Sequence, residues 1–233
     1  MKNSNNIFLN KKIVITGASG YIGCKLYDNL KTLTSNIIAT TRDKNLLKKN
    51  KDFKKADYQN NKFWSDLIDY ADIIFHLSAD TTLNVSEKEL KKNYKSNILP
   101  VNLFIKESVK KKKKINFIFT SSSTVYGNIK KDIVTERVGI YPNSTYDLHK
   151  YYNEQNLLKI SKNKKFINCT VLRLSNVYGH SFSESSNKKR GFLNQVFLKA
   201  LKGNEIEIYG DGKFYRDYIH IDDVVSALKK VSI

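Results

Sequence analysis

Residues 13–23 read IVITGASGYIG, in which four apolar or β-branched residues run directly into three glycines, Gly17, Gly20 and Gly23. The first four residues are typical of a short buried strand, and residues 21–33 carry the apolar spacing of a helix. Glycines at this spacing allow a tight turn, close approach of the backbone to a pyrophosphate and close packing of helix on strand, while the helix N-terminus attracts phosphate. A glycine-rich turn can be merely a turn, but its position between strand and helix predicts a dinucleotide-binding site.

The rest of the chain repeats this alternation of short apolar runs and longer amphipathic stretches. The predicted strands are 13–16, 36–41, 73–77, 115–120 and 169–174, and the predicted helices are 21–33, 63–70, 90–110 and 146–161. Strands alternating with helices imply right-handed crossovers, so the sequence predicts an α/β fold with a doubly wound parallel sheet, a Rossmann fold. Ligands of such sheets bind at the carboxyl ends of the strands.

The pattern changes after Gly179, where a polar segment at 181–190 precedes a predicted helix near 192–202 and a predicted strand near 205–209. We therefore expect three parts along the chain. Residues 1–178 would form the NAD(P)-binding Rossmann domain, and residues 179–217 a small, incomplete substrate-binding lobe. Residues 218–233 would return to the Rossmann domain through a helix at 222–230.

The composition excludes several classes of protein. The chain has 233 residues and is 40% hydrophobic, which is too apolar for a disordered chain and enough for a sizeable core. No stretch approaches the ~18 apolar residues of a membrane span, and the first apolar run is far shorter than a signal-peptide core. We therefore expect a cytoplasmic protein with no membrane partner. Cys24 and Cys169 stand in no ligand or disulfide spacing, so no metal site is predicted.

The net charge of +19 suggests an alternative, a nucleic-acid binder. Only five of the 41 basic residues are arginine, the side chain that base-edge contacts favour. The densest lysine run, 110–114, falls where a helix should end, and cations there complement the helix dipole. We interpret the charge as solvated lysines and expect no nucleic-acid partner.

The choice of cofactor depends on the end of the second strand, where Thr41 is followed by Arg42 and Asp43. An acidic residue about 20 positions beyond the glycines would bind the ribose hydroxyls of NAD, whereas an arginine would hold the 2′-phosphate of NADP. Arg42 directly follows the strand and favours NADP, Asp43 leaves NAD open, and a simple polar loop pair is the third interpretation.

A serine run and a Tyr/Lys pair follow the strand at 115–120. Residues 121–127 read SSSTVYG, and the helix at 146–161 begins YDLHK. Tyr146 and Lys150 stand four residues apart on one helix face, so the ammonium can lower the pKa of the phenol from about 10 towards that of a working base. A serine hydroxyl at the strand end can orient a substrate hydroxyl or ketone. A solvated Tyr/Lys pair is the alternative, but the order of the motifs favours catalysis.

Taken together, GASGYIG (17–23), DIIFHLSA (72–79), SSSTVYG, YDLHK, LRLSNVYG (172–179) and GDGKFYRDYIHIDD (210–223) resemble motifs of the extended short-chain dehydrogenase/reductases. The specific resemblance is to the NAD(P)-dependent nucleotide-sugar epimerase/dehydratase family, including its UDP-glucose 4-epimerase-like enzymes. It implies hydride transfer at the sugar C4 by an epimerase or 4-ketoreductase. It also implies a homodimer formed by the helices at 90–110 and 146–161.

The resemblance further assigns the site residues. It implies a catalytic triad of Ser122, Tyr146 and Lys150, with Tyr146 as the acid/base and Lys150 also on the nicotinamide ribose. The cofactor-binding residues would be Gly17, Ser19, Gly20, Tyr21, Ile22, Gly23, Thr41, Arg42, Asp57, Tyr58, Leu77, Ser78, Ala79, Asn97, Tyr146 and Lys150. The nucleotide-sugar substrate would contact Ser122, Ser123, Thr124, Asn176 and Arg216.

The sequence departs from the family pattern in two places. Family 4,6-dehydratases carry Asp-Glu directly after the catalytic hydroxyl residue, where this chain has Ser123 and Thr124, so dehydration is not expected. Family members also continue past the RDYIHIDD segment with another strand and most of the substrate lobe. The sequence is therefore expected to be a fragment, to take the missing surface from a partner chain, or to be a non-catalytic NAD(P)-binding module.

Overall fold

A parallel sheet forms the centre of the molecule in the computed structural model, which describes residues 6–83, 86–129, 133–181, 191–208, 212 and 215–233. Its strands are β1 (Ile13–Thr16), β2 (Ile37–Thr41), β3 (Phe53–Lys55), β4 (Ile73–His76), β5 (Ile115–Ser122) and β6 (Ile167–Leu174). They lie in the order β3-β2-β1-β4-β5-β6, and every neighbouring pair is parallel. Winding reverses between β1 and β4, and ligand crevices of such sheets form at that point.

Helices cover both faces of this sheet. They are α1 (Tyr21–Lys31), α2 (Lys44–Lys49), α3 (Asn61–Tyr70), α4 (Glu87–Asn97), α5 (Leu99–Lys111), α6 (Thr145–Asn163), α7 (Phe192–Leu201) and α8 (Ile221–Lys230). Successive side chains of a strand point to opposite faces, so Ile13 and Ile15 enter the core under α1 and α8, and Val14 enters the core under α3 and α5. Both faces of β1 are therefore buried, as its apolar sequence predicts.

The predicted doubly wound α/β sheet is confirmed, but it contains a strand that the sequence did not reveal. The unpredicted strand, β3, has only three residues, Phe-Lys-Lys, of which Phe53 alone is buried. It lies at the edge of the sheet beside β2, and two of its three residues are exposed. A strand this short and polar leaves no periodic signal.

Two predicted elements are wrong. The single helix at 90–110 is two helices that meet at Ile98, because Pro100 at the start of α5 has no N–H to continue the hydrogen-bond ladder. Residues 205–208 form no strand, and no described strand lies beside them to pair with their alternating Glu and Ile side chains. Tyr209, the polar segment at 182–190 and the Gly-Asp pair at 210–211 lie outside the described residues.

A second, two-stranded parallel sheet joins β7 (Asn176–Tyr178) to β8 (Tyr218–His220). The segment after β7 is attached to the glycine turn through Tyr21, the first residue of α1. Tyr21 Oη donates to the carbonyl oxygen of Gly179 at 2.5 Å and accepts from Asn194 Nδ2 at 3.0 Å, while Ser181 Oγ donates to the Tyr21 carbonyl at 2.7 Å. The start of α1 and α7 are thus held together. The division of the chain into 1–178, 179–217 and 218–233 stays a prediction.

Within the described residues, no helix has the length and apolar character needed to traverse a lipid bilayer. The same residues contain no group of three or more His, Cys, Asp or Glu side chains placed to hold a metal ion. Both cysteines are free thiols, and burial raises the pKa of Cys24 to about 11 and that of Cys169 to about 12.

Candidate active site

The turn after β1 has a backbone conformation and close contacts that favour glycine. Gly17 has a φ of +68°, and a Cβ added there would lie 3.0 Å from the Cα of Ser78. A Cβ on Gly23 would lie 2.2 Å from the carbonyl oxygen of Gly17, so α1 packs directly on the turn. The N-terminus of α1 opens into a cavity lined by Gly17, Ser19, Gly20, Tyr21, Ile22, Gly23, Thr41, Arg42, Tyr58, Leu77, Ser78, Ala79 and Thr81. This glycine cradle fits a dinucleotide pyrophosphate.

Tyr58 holds the glycine turn in place through its hydroxyl group. Its hydroxyl accepts a hydrogen bond from the Gly17 amide at 2.8 Å and lies 2.7 Å from Thr40 Oγ1. Burial raises the pKa of this phenol, so it stays neutral. Asp57, by contrast, is exposed and lines a neighbouring cavity together with Arg42, Tyr58, Ser78 and Ala79. Of the two predicted adenine residues, Tyr58 therefore lines both cavities and fixes the backbone of the glycine turn, whereas Asp57 lines only the neighbouring one.

Thr16, at the end of β1, holds the segment after β4 in place. Its Oγ1 accepts hydrogen bonds from the amides of Leu77 and Ser78 at 3.2 and 3.3 Å, and lies 2.9 Å from His76 Nδ1. With both lone pairs occupied, the hydroxyl proton of Thr16 points to Nδ1, which places the ring proton of His76 on Nε2. Burial, with a smaller effect of the Lys150 cation, lowers the pKa of His76 to about 3. His76 is thus a neutral core histidine.

The side chains that would select the cofactor have different partners. The hydroxyl of Thr41 donates to Ser19 Oγ at 2.7 Å and accepts from the Asp43 amide at 3.0 Å. Asp43 is the N-cap of α2, and its Oδ1 accepts from the amides of Asn45 and Leu46 at 2.8 and 3.3 Å. The Asp43 carboxylate is therefore used by the helix, while Arg42 lines both cavities.

Tyr146 and Lys150 occupy the first two turns of α6, beside the end of β5. Lys150 is buried, and its Nζ donates to the Thr120 carbonyl at 2.6 Å. The same nitrogen lies 4.7 Å from the ring centroid of Phe119 and 5.6 Å from that of Tyr146. Burial lowers the pKa of Lys150 to about 8, although the nearby Glu154 carboxylate acts in the opposite direction. A mostly protonated lysine beside the phenol is the arrangement that favours a phenolate at neutral pH.

Ser122, the last residue of β5, is connected to the start of α6 through two further side chains. Its Oγ lies 2.8 Å from Thr124 Oγ1, and the Thr124 hydroxyl donates to Asp147 Oδ1. Asp147 is buried at the third position of α6, where its other oxygen accepts from Ser144 in a capping box. Sequence reasoning missed Asp147, although its position directly after Tyr146 and three residues after Ser144 predicts a capping role.

An ion pair fixes α6 against β6 one helical turn beyond Lys150. Glu154 is fully buried, and both of its oxygens accept from the guanidinium of Arg173, the shortest contact being 2.6 Å. Arg173 also donates to Tyr126 Oη at 2.9 Å, and its guanidinium carbon lies 4.9 Å from the ring centroid of that tyrosine. Sequence reasoning missed this pair too, although Glu154 stands four residues after Lys150 on the same face.

Asn97, a predicted cofactor residue, makes its side-chain contacts within the protein. The amide of Asn97 exchanges two hydrogen bonds with the backbone of Asp80, at 2.7 and 2.9 Å, and donates to Asn93 Oδ1 at 3.0 Å. Asn153 Nδ2 of α6 donates to the Asn97 carbonyl at 2.8 Å. Asn97 therefore joins the end of α4 to the loop after β4 and to α6.

Four of the five predicted substrate residues line one groove along β6. Ser123, Thr124, Asn176 and Arg216 all border it, together with Glu154 and Arg173. Asn176 donates from its Nδ2 to the Asp217 carbonyl at 2.9 Å, which holds β7 beside the segment that carries Arg216. Ser122 lies next to this groove at the end of β5. The cavity at the glycine turn thus lies at the carboxyl ends of the strands, whereas this groove runs along the edge strand β6 and reaches its carboxyl end at Ser123, Thr124 and Asn176.

A family model described as the NAD dependent epimerase/dehydratase family matches residues 13–232. The chain belongs to this family. A curated relative, ADP-L-glycero-D-manno-heptose-6-epimerase of Brachyspira hyodysenteriae, is 30% identical and matches 92% of the chain and 70% of its own length. The crystal structure of UDP-glucose 4-epimerase from Thermotoga maritima with UDP-glucose has a sequence 28% identical to this chain and superposes with a TM-score of 0.81. The match covers 93% of this chain and 72% of the epimerase chain. The structure of MoeE5 in complex with UDP-glucose and NAD is 25% identical, with 95% and 71% coverage and a TM-score of 0.78.

Membership of the epimerase/dehydratase family confirms the predicted family, and its sugar-nucleotide epimerases confirm the prediction of an NAD-dependent enzyme of this class. The individual roles assigned to Ser122, Tyr146 and Lys150, and the choice between NAD and NADP, stay predictions. Two observations are relevant to these predictions. The Lys150 ammonium lies near the Tyr146 ring, as the acid/base role requires, and Asp43 caps a helix, which leaves Arg42 as the charged side chain at the cavity.

Proposed function

We propose that the chain carries out reversible hydride transfer at C4 of a UDP-hexose, as an epimerase or a 4-ketoreductase. The observation that carries this proposal is the buried Lys150, whose ammonium is held by the Thr120 carbonyl beside the Tyr146 ring at the carboxyl end of the sheet. The uridine nucleotide is taken from the solved structures with UDP-glucose, to which this chain is similar.

Tyr146 takes the proton of the sugar 4-hydroxyl, and Lys150 stabilises the phenolate that receives it. NAD(P), when bound in the cavity at the glycine turn, would supply the acceptor and donor of the hydride that leaves and returns to C4. Ser122 binds the same sugar oxygen from the end of β5, and the groove bordered by Asn176 and Arg216 holds the nucleotide diphosphate. In an epimerase the 4-keto sugar rotates in the site before hydride is added back to the opposite face of C4. A reductase carries out only the addition of hydride to the ketone. Dehydration is disfavoured because neither Ser123 nor Thr124 supplies the acid and base that it needs.

Tyr146→Phe tests the proposal directly. Loss of the phenol removes the acid/base, so turnover should fall by about 10²- to 10⁴-fold, while cofactor binding changes little. The measurement is product formation from a panel that includes UDP-glucose, UDP-galactose, UDP-4-ketohexoses and an ADP-heptose. Undiminished turnover in the variant would contradict the assignment. Cofactor binding by the wild type without turnover of any panel member would favour the non-catalytic module instead.

We propose NADP as the preferred cofactor, since Asp43 caps α2 while Arg42 lines the cavity. Arg42→Ala should weaken NADP binding by about 10- to 100-fold, the value of a charged hydrogen bond, and leave NAD binding nearly unchanged. Fluorescence titration with both cofactors measures this. Lys44→Ala, at the start of α2, is the matched control, because it removes a nearby positive charge that does not line the cavity. An equal loss for both cofactors would contradict the proposal.

A cytoplasmic homodimer stays a prediction. Leu148 and Tyr152 lie one turn apart on the exposed face of α6, and Ile105 of α5 lies beside Tyr152 in a shallow surface pocket. This apolar surface on the two helices supports the pairing that the resemblance implies. The absence of a nucleic-acid partner likewise stays a prediction.

A further inference from the structure

Tyr21 belongs to the glycine turn through its backbone and contacts the segment after β7 through its side chain. Its amide lies in the first turn of α1, where N–H groups have no acceptor within the helix, and the residue lines the cavity at the glycine turn. Its hydroxyl donates to the Gly179 carbonyl at 2.5 Å and accepts from Asn194 Nδ2 at 3.0 Å. One residue therefore joins the candidate cofactor site to the part of the chain beyond β7.

The hydrogen bonds around Tyr21 Oη form a closed ring of three residues. The Gly179 amide donates to Asn194 Oδ1 at 3.0 Å, so each member of the ring is bonded to both of the others. Asn194 is buried, and Gly179 has a φ of +110° with space for a Cβ closed by the His220 ring at 2.5 Å. The ring is therefore tightly placed between α1, α7 and β8.

Gly179 directly follows β7, the strand that carries the predicted substrate residue Asn176. The backbone amide and Nδ2 of Asn176 donate to the Asp217 carbonyl at 3.2 and 2.9 Å, next to Arg216. Asn176 and Arg216 both line the groove along β6. A nucleotide diphosphate bound by these two side chains would fix β7, and with it the Gly179 carbonyl that holds Tyr21.

We propose that Tyr21 couples the two ligand sites, so that a nucleotide sugar in the groove tightens the hold of the glycine turn on the cofactor. This inference rests on the proposed function. The Tyr21 side chain is a positioning group, since it acts on the cofactor through the backbone of the turn. By linkage, the cofactor tightens nucleotide-sugar binding by the same factor. The reduced cofactor then stays in place while the 4-keto sugar is bound, and it exchanges after the nucleotide has left.

Direct electrostatics between the two ligands acts against this coupling. The cofactor and a UDP-sugar each carry a diphosphate, and like charges weaken each other's binding. Any tightening must therefore be carried by the protein. Tyr21 provides a short connection, because its amide and its hydroxyl belong to one residue and face the two sites.

The test measures the dissociation constant of the cofactor by calorimetric titration, with and without saturating UDP. UDP carries the diphosphate but has no sugar to oxidise, and the cofactor is whichever of NADP and NAD the wild type binds more tightly. The coupling ratio is the constant without UDP divided by the constant with UDP. It should be about five to ten in the wild type, at the lower end of measured couplings, and titration of UDP with and without cofactor should give the same ratio.

Two variants interrupt the connection. Tyr21→Phe removes the hydroxyl and keeps the ring, so the coupling ratio should fall to about one or below. Because the ratio compares each variant with itself, a general loss of cofactor affinity cancels. Ser181→Ala removes the second link, in which Ser181 Oγ donates to the Tyr21 carbonyl at 2.7 Å, and should lower the ratio in part. It decides the test if Tyr21→Phe does not fold.

Asp222→Ala is the matched control. Asp222 of α8 pairs with Lys25 of α1 at 2.9 Å, so its loss weakens another contact of α1 without removing a member of the ring around Tyr21. The wild-type coupling ratio should persist in this variant. A ratio that falls equally in Asp222→Ala and Tyr21→Phe would show general loosening of α1 and overturn the role of Tyr21.

The remaining outcomes separate this inference from the proposed function. A wild-type ratio of about one, or a ratio unchanged in Tyr21→Phe and Ser181→Ala, overturns the coupling alone, and loss of turnover in Tyr146→Phe still supports the proposed function. A wild type that binds no UDP and turns over no UDP-hexose overturns the proposed function and this inference with it. A ratio that falls in Tyr21→Phe and persists in Asp222→Ala supports the inference.

Discussion

Lys150→Met is expected to lower kcat/KM by about 10²- to 10⁴-fold and at the same time to make the fold slightly more stable. Activity falls because Tyr146 loses the cation that favours its phenolate. Stability rises because wild-type folding transfers a charged ammonium into the interior, where burial lowers the pKa of Lys150 from 10.5 to about 8. At about 1.4 kcal/mol per pKa unit this costs roughly 3 kcal/mol. The variant also loses the hydrogen bond to Thr120, which costs it about 1–3 kcal/mol. The net gain in the free energy of unfolding should therefore be about 1 kcal/mol.

The sign of the pH dependence gives the sharper test. The unfolded chain keeps the proton of Lys150 up to its ordinary pKa of 10.5, whereas the folded protein loses it at about 8. Between these values the unfolded state binds more protons, so wild-type stability rises with pH. The wild type recovers this cost of roughly 3 kcal/mol between pH 8 and pH 10.5, so the advantage of Lys150→Met should be largest below pH 8, vanish about one pH unit above it and become a deficit of about 2 kcal/mol by pH 10.5.

Urea unfolding at several pH values measures this difference. Lys159→Met, near the exposed end of the same helix, is the matched control, because it removes a lysine without removing a buried charge. It should show no such pH dependence and full activity. A Lys150→Met variant that is strongly destabilised at neutral pH would contradict the view that the buried cation is kept for function at the expense of stability.

Local signals account for the parts of the site that the sequence predicted. The glycine turn lies within seven residues, and Tyr146 and Lys150 are one helical turn apart, so sequence spacing alone places each group. The contacts between Thr124 and Asp147 and between Arg173 and Glu154 join residues 23 and 19 positions apart. These side chains are of types that are common on surfaces. Only the packing of α6 against β5 and β6 brings them together, and no periodic pattern records it.

The fold shows the same division. Strands buried on both faces, such as β1, carry continuous apolar runs that the sequence displays, and their positions were predicted closely. The short edge strand β3 and the break at Ile98 depend on a neighbouring strand and on a single proline, so apolar spacing alone did not reveal them. Residues 205–208 show the opposite case, in which strand-like alternation has no described partner strand.

Arg173→Met should lower the free energy of unfolding by about 3–5 kcal/mol, the largest loss of stability expected from a single change in the site. Its partner Glu154 has no exposed surface, and both of its oxygens receive their hydrogen bonds from the Arg173 guanidinium. Without that guanidinium, Glu154 must either stay charged in the interior or take up a proton, and both cost free energy.

Glu154→Gln should cost less, about 1–2 kcal/mol, because the amide oxygen can still accept from Arg173 and because Arg173, at 18% exposure, reaches solvent. The double variant Arg173→Met with Glu154→Leu removes both charges and fills the space with apolar groups, so it should recover most of the loss. Urea unfolding at pH 7 and pH 5 measures all three. The deficit of Arg173→Met should shrink at the lower pH, where its unpaired Glu154 protonates more easily. Equal losses in the two single variants, or no recovery in the double variant, would contradict the argument that the unpaired carboxylate is the source of the instability.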